Sequence, residues 1–302
     1  MHPAGPHVPG AEVLIVIKIF ILAVVQGFCE LLPVSSSAHV IIAEKLMGLD
    51  PTAPTMTFLL VMLHTGTMLA VIGYFWSTWR SRYFSSAPAF WGFARSLCLA
   101  TVCTAIVGFG LMLLIERVIL RGAAKAEVET LFGNTTLIAV ALAAVGILII
   151  VSGLRAAAAN QRQSIAAGDA VWIGVVQGLC LPFRGFSRSG ATISTGLFRG
   201  LHKEVLENYS FALAVILTPP VIAREGYRLL GSHRAAGMAG DVLGLLWPSL
   251  VGMGLSFAAG WLSLKWLSRW LEHGRWHLFG YYCLFAAAAV FAVGKYVLGP
   301  VS

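Results

Sequence analysis

The chain has 302 residues, of which 58% are hydrophobic and only 11% are charged. A soluble domain carries about 25% charged residues, and 21 basic plus 13 acidic side chains cannot form the polar shell of a soluble core this size. An ordinary soluble enzyme, a disordered chain and a disulfide scaffold are thereby excluded, and a polytopic membrane protein remains. The net charge of +8 sits mostly in short loops between apolar runs, which points to orientation in a membrane and away from nucleic acid. The five cysteines, Cys29, Cys98, Cys103, Cys180 and Cys283, form no CxxC, so neither a disulfide framework nor a zinc site is expected. The N-terminal residues show no basic region and no cleavage site, so no signal peptide is expected.

The first apolar stretch, 13–25, is interrupted by Lys18 and runs into the polar segment QGFCELLPVSSSAH. Three stretches long enough to span a membrane follow, at about 57–76, 97–115 and 135–153. A second short stretch, 170–183, contains Gln177 and runs into LPFRGFSRSGAT. Three more spanning stretches follow at about 207–223, 243–264 and 278–297. Apolar stretches of roughly 10–14 residues are more often re-entrant or buried than spanning. The two short stretches are also alike: VVQGFC at 24–29 recurs as VVQGLC at 175–180, an offset of 151 residues, half the chain. We read one duplicated unit, a re-entrant hairpin plus three spans, in repeats 12–153 (hairpin 12–50) and 163–299 (hairpin 163–205), together forming a single membrane domain over 1–302. The expected fold is all-α: six transmembrane helices plus two re-entrant helical hairpins.

A hairpin enters and leaves on one side, and three spans then cross an odd number of times. The second unit therefore starts on the opposite side, which makes an inverted-topology repeat whose two irregular turns meet near the midplane. The charges give a direction. Arg80, Arg82 and Arg95 lie in 77–96, Arg155 and Arg162 lie against Asp169 in 154–170, and Lys265, Arg269 and Arg275 lie against Glu272 in 265–277. The loop 116–134 is balanced, with Arg117, Arg121 and Lys125 against Glu116, Glu127 and Glu129. Segment 40–56 (Glu44, Lys45, Asp50) is net negative, while 224–242 is net positive by one and weakens the bias. The bias places both termini outside, with the first hairpin opening outward.

Two polar constellations stand where lipid makes polarity costly. In the first, Gln26 and Glu30 are four apart and share a helix face, a pair of oxygen donors suited to a hard divalent cation such as Mg²⁺ or Ca²⁺. Pro33 ends that helix, and the next begins in Ser35-Ser36-Ser37, where free N–H groups make an anion site, with His39 about one turn in. In the second, Gly185 and Gly190 permit close backbone approach, Ser187, Ser189 and Thr192 supply hydroxyls, and Arg188 supplies a fork matched to phosphate oxygens. Arg184 alone also fits a positively charged inside loop. His64-Thr65-Gly66-Thr67, inside a span, fits helix packing and cavity lining equally. Glu204, Glu207 and Asn208 are expected on an interfacial helix face, and Trp76, Trp247, Trp276, Tyr281 and Tyr282 as interfacial anchors.

The segment QGFCELLPVSSSAH (26–39) resembles the first signature of the bacterial undecaprenyl-diphosphate phosphatases of the bacitracin-resistance type, Glu/Gln-x-x-x-Glu followed by Pro, serines and His. GFSRSGATIS (185–194) resembles their second signature, and HTGTMLAV (64–71) and YSFALAV (209–215) look like further landmarks. The resemblance covers essentially the whole chain. It implies a membrane hydrolase that removes one phosphate from a C55 lipid diphosphate, recycling the carrier for peptidoglycan synthesis and conferring bacitracin resistance. It implies six spans with two re-entrant hairpins, in the inner membrane, with the active site toward the periplasm. Gln26 and Glu30 fall on the family's metal-associated positions, Ser36 and His39 on its Ser and His, and Arg188 on its phosphate-binding arginine. Arg184 stands where the family usually has Pro, the first metal position is Gln rather than Glu, and the proline of the fourth span is displaced to Pro219-Pro220.

The mechanism expected on that basis has Arg188, Ser35, Ser187, Ser189 and Thr192 hold the phosphoryl group, with a divalent cation on Gln26 and Glu30. Ser36 attacks with His39 as its base, or His39 itself attacks or activates water. The expected partners are a polyprenyl diphosphate and membrane lipid, optionally a second copy of the chain, and no nucleic acid. The rival function is a polyprenyl-phosphate transporter or flippase, which shares the inverted repeat and phosphate cradle but needs no nucleophile and base. Lipid phosphatases with an SR-x5-H-x3-D signature would need His at 194, where this chain has Ser194.

Overall fold

A computed structural model describes residues 9–49, 54–119, 134–156, 162–235 and 242–297. Apart from an isolated bridge between Arg162 and Leu201, the regular structure among them is helical. The first half comprises α1 (Pro9–Leu31), α2 (Ser36–Leu46), α3 (Pro54–Arg82), α4 (Ala87–Leu114) with a π-helical turn at Ile115–Ile119, and α5 (Thr135–Ala156). The second comprises α6 (Ala167–Cys180), α7 (Arg188–Phe198), α8 (Lys203–Ala235), α9 (Val242–Glu272) and α10 (Trp276–Tyr296).

Five helical stretches among the described residues are long and apolar enough to cross a membrane: Phe58–Arg82, Ala87–Val118, Thr135–Arg155, Trp247–Glu272 and Trp276–Tyr296. At about 1.5 Å of rise per residue, even a 21-residue helix reaches the ~30 Å of a hydrocarbon core. The chain is thus a multi-pass, all-helical membrane protein. These helices outrun the apolar stretches read from the sequence because their ends continue into polar residues, as α3 does to Arg82. The remaining expected span, 207–223, falls inside α8, which is not among the five; α8 opens on Lys203 and Glu204 and contains Pro219 and Pro220. Of the loop charges read from the sequence, Asp50, Arg121, Lys125, Glu127, Glu129 and Asp241 lie outside the described residues.

Small residues decide how closely the helices pack. Gly27 of α1 lies against α9, where an added Cβ would sit 2.8 Å from the Ser256 carbonyl oxygen. Gly178 of α6 lies against α4, where a Cβ would sit 2.9 Å from the Thr104 carbonyl oxygen. These are the glycines of the two VVQG motifs, and both allow a short apolar helix to press its backbone onto a long one. The packing α1 on α9 and α6 on α4 is accompanied by α5 along α10 and α3 along α8 and α9. Around the two turns, Leu31, Val34 and Ala38 share one core with Ile138, Leu142, Ala191, Ile193, Phe211 and Cys283.

One end of the bundle is tied by charges. Asp169, fully buried, receives both Arg162 guanidinium nitrogens at 3.0 Å, Arg199 Nε at 2.5 Å and the Ala166 N–H at 2.9 Å. Burial alone would raise the Asp169 pKa, but these hydrogen bonds outweigh it and hold the carboxyl below its ordinary value. Nearby, Arg82 donates to the Gln163 carbonyl at 3.1 Å and Lys203 to the Glu272 carbonyl at 2.6 Å. Two expectations for surface residues need correcting. Glu207 and Asn208 are not on an interfacial face: both are buried, and Glu207 accepts a hydrogen bond from Ser268 at 2.6 Å. Trp276 is not an interfacial anchor: it is buried and its indole N–H donates to Ser152 and Ser194, each at 3.2 Å.

Candidate active site

Pro33 cannot continue α1, and the residue before it is pushed away from helical geometry. The chain turns through Leu32–Ser35, and Ser35 takes φ 66°, a left-handed conformation that a residue with a Cβ adopts only at a cost of about 1–3 kcal/mol. That turn brings Ser36, at the start of α2, back over the last turn of α1. In the second half, Gly185 at φ 100° makes the equivalent reversal, and Ser187 caps α7 by accepting from the Gly190 N–H at 3.2 Å. Ser36 and Ser187 are separated by the repeat offset of 151. The two turns touch: Gly185 N–H donates to Ser37 Oγ at 3.4 Å, and Ser189 Oγ to the Leu32 carbonyl at 3.5 Å.

Glu30 is the hub. Its Oε2 accepts from Ser36 Oγ at 2.5 Å and from Gln26 Nε2 at 3.1 Å, and its Oε1 accepts from Arg188 at 3.4 Å. His64 Nε2 stands 3.6 Å from Oε2. The Glu30 and Arg188 side chains are 18% and 22% exposed, so the pair is largely desolvated yet reachable. The first hairpin supplies the carboxylate and hydroxyl, the second supplies the cation, and α3 supplies the histidine.

His39 is placed differently from the expectation that it serves Ser36. Its Nδ1 is 2.8 Å from the Ser35 carbonyl oxygen and its Nε2 is 2.7 Å from the Tyr282 hydroxyl, while Ser36 donates to Glu30. Ser35 is buried, with its Oγ 3.3 Å from Ser37 Oγ. Ser187 and Ser189 are buried, their hydroxyls 3.4 Å apart, beside Arg188. Thr192 is turned away from the turn: its hydroxyl donates to the Arg188 carbonyl at 2.9 Å and lies 2.7 Å from Ser210 Oγ of α8. Two residues join the site that the motifs alone did not assign. His64 carried a signal, a polar patch inside an apolar span; Tyr282 carried none that set it apart from the neighbouring Tyr281.

Among the described residues no group of three or more His, Cys, Asp or Glu side chains is gathered that would hold a metal ion by itself. One carboxylate beside one amide fits a hard cation that brings most of its oxygen ligands with it, as Mg²⁺ does when it is held by one or two carboxylates plus substrate phosphates.

The family model for bacitracin resistance protein BacA matches residues 19–289. A protein named undecaprenyl-diphosphatase 2 from Acinetobacter baylyi is 58% identical over 270 residues, covering 89% of this chain and 94% of that protein. Undecaprenyl-diphosphatases from Desulfosudis oleivorans and Pelotomaculum thermopropionicum are 33% and 30% identical, each covering 91% of this chain and 97% and 95% of their own lengths. With all but the chain's ends matched, and with both signature turns meeting at Glu30 and Arg188, this protein belongs to the bacitracin resistance protein BacA family.

Proposed function

We propose that this chain is a membrane phosphatase that hydrolyses undecaprenyl diphosphate to undecaprenyl phosphate and inorganic phosphate, recycling the lipid carrier for peptidoglycan synthesis and conferring bacitracin resistance. Its relatives carry that activity in their names. The observation that carries the chemistry is the Ser36 Oγ–Glu30 Oε2 hydrogen bond of 2.5 Å, with Arg188 on the other carboxylate oxygen. A hydroxyl already donating to a carboxylate is a nucleophile with its base in place. A transporter needs an anion site but no such pair.

Ser36 attacks the terminal phosphorus while Glu30 takes its proton. Arg188 and the N-termini of α2 and α7, whose preceding turns touch, hold the phosphoryl oxygens. Ser35, Ser187 and Ser189 shape that cradle, and Thr192 fixes the first turns of α7 against α8. Undecaprenyl phosphate leaves, and water then releases phosphate from Ser36. Gln26 and Glu30 are the residues that would hold a divalent cation arriving with the diphosphate, which supplies charge neutralisation on the phosphate oxygens. His39 acts beside this pair, not as the base of Ser36.

The membrane layout that goes with this function counts α8 as a sixth span and makes α1–α2 and α6–α7 re-entrant hairpins, in inverted repeats over 12–153 and 163–299. Three observations support it. The packing of α1 on α9 repeats that of α6 on α4, as a two-fold relation requires. The glycines of both VVQG motifs make equivalent close contacts. The ends of α3, α6, α8 and α9 gather around Arg82, Asp169 and Lys203, the side that the basic loops assign to the cytoplasm. The site then opens toward the periplasm from the inner membrane.

The test is phosphate release from undecaprenyl diphosphate by purified protein in detergent, with and without chelator. The expected result is release from the wild type, reduced by chelator. Absence of release with either Mg²⁺ or Ca²⁺ present would contradict the assignment.

A further inference from the structure

His39 is held from both sides, and one side belongs to the far end of the chain. Nδ1 lies 2.8 Å from the Ser35 carbonyl oxygen, which only accepts, so Nδ1 carries the proton. In the neutral ring Nε2 is then the acceptor, and the Tyr282 hydroxyl at 2.7 Å is its donor. The two rings also stack, with centroids 5.7 Å apart and an interplanar angle of 13°. The next residue, Cys283, is buried and donates to the Pro33 carbonyl at 3.3 Å. Residues 282 and 283 of α10 thus grip the first turn on both flanks of Ser35 and Ser36, from the other half of the chain.

A tyrosine that only anchors a helix at the lipid interface needs none of this. Tyr281 and Phe285, on the same helix, are exposed and show what that role looks like. Tyr282 is exposed as well, but its hydroxyl is spent on a ring nitrogen three residues from the proposed nucleophile.

We infer that Tyr282 is a positioning residue for the phosphatase reaction: the Ser35 carbonyl sets the His39 Nδ1–H tautomer, and Tyr282 holds the orientation of that ring through Nε2, three residues from Ser36. The inference rests on the phosphatase function proposed above. In this tautomer Nε2 is the one ring nitrogen able to accept a hydrogen bond from substrate or water, and Tyr282 keeps it oriented until that exchange. Holding a histidine ring through a hydrogen bond to its other nitrogen is a general device.

The experiment uses the full chain in detergent, labelled with ¹⁵N-histidine, beside a phosphate-release assay. In the wild type, His39 is expected to show a protonated Nδ1 and a hydrogen-bonded Nε2. Tyr282→Phe is expected to shift the His39 Nε2 resonance to that of a free nitrogen while the other seven of the 8 histidines keep theirs. It is expected to lower kcat about tenfold or more with KM within about twofold. Adding His39→Asn to Tyr282→Phe is expected to lower kcat no further than His39→Asn alone, because the tyrosine acts through the histidine. Tyr282→Phe with an unchanged resonance or unchanged kcat, or losses that add in the double variant, would overturn the inference. So would a wild-type His39 carrying its proton on Nε2, a result that needs no variant to fold. A wild type with the expected tautomer that releases no phosphate would count against the phosphatase function instead, and the resonance would still decide the Tyr282 contact.

Discussion

Replacing Glu30 by Gln keeps the side chain's size and removes its charge. Three donors converge on the carboxylate: Ser36 at 2.5 Å, Gln26 at 3.1 Å and Arg188 at 3.4 Å. The amide presents one acceptor oxygen where the carboxylate presented two, so Ser36 and Arg188 no longer both find a partner. Removing one member of a fully buried ion pair costs about 3–5 kcal/mol. With side chains 18% and 22% exposed, water screens part of that, and a stability loss of about 1–2 kcal/mol is expected. On the proposed mechanism the effect on turnover is larger, because Glu30 serves there as the base for Ser36. General-base catalysis contributes about 10²–10⁴-fold, equivalent to about 2.7–5.5 kcal/mol of barrier. The assay is phosphate release at saturating lipid diphosphate, with a thermal melt of the same preparation. A folded Glu30→Gln protein within threefold of wild-type kcat would refute the assignment of Glu30 as base.

Three further outcomes are expected. Ser36→Ala should lower phosphate release at least about 10³-fold if the hydroxyl is the nucleophile, and rapid acid quench of the wild type should trap a phosphoserine that this variant lacks. Gly178→Val should push α6 off α4, because its Cβ would stand 2.9 Å from the Thr104 carbonyl oxygen, and should cost about 1–3 kcal/mol in a thermal or denaturant melt. Asp169→Asn should lower the melting temperature at neutral pH by a few degrees. Because the folded Asp169 carboxyl is held below its ordinary value of 3.8, its stabilisation is full above that value and is lost as pH falls through the lower folded value. The gap between wild type and Asp169→Asn should therefore close in strong acid, as read from melts across pH.

Much of this was legible in the residues. Pro33, the serine run and Gly185 mark the two turns, and the repeated VVQG places them half a chain apart. Glu30 and Arg188 were legible because charge in an apolar context demands a partner, and each supplies the other's. Pairing within the site was harder to read. The spacing of three between Ser36 and His39 suggests neighbours on one helix face, yet Glu30, on the preceding helix, reaches Ser36 across the Pro33 turn and takes the hydroxyl first. His39 instead turns to Ser35 and to Tyr282, a residue 243 positions away that local pattern cannot connect. Glu207 and Trp276 went the same way: periodicity marks a polar or amphipathic side chain, but only the packing of α9 and α5 shows that Ser268 and Ser152 wait for them inside.

The most direct test is phosphate release from undecaprenyl diphosphate by the purified wild type and by Arg188→Ala, which removes the second hairpin's charge from the shared site. The expected result is one phosphate released per lipid by the wild type and a loss of at least about 10²-fold in the variant, the scale of removing one transition-state donor. No release by the wild type, or near-wild-type release by Arg188→Ala, would contradict a phosphatase site built from both halves of the chain.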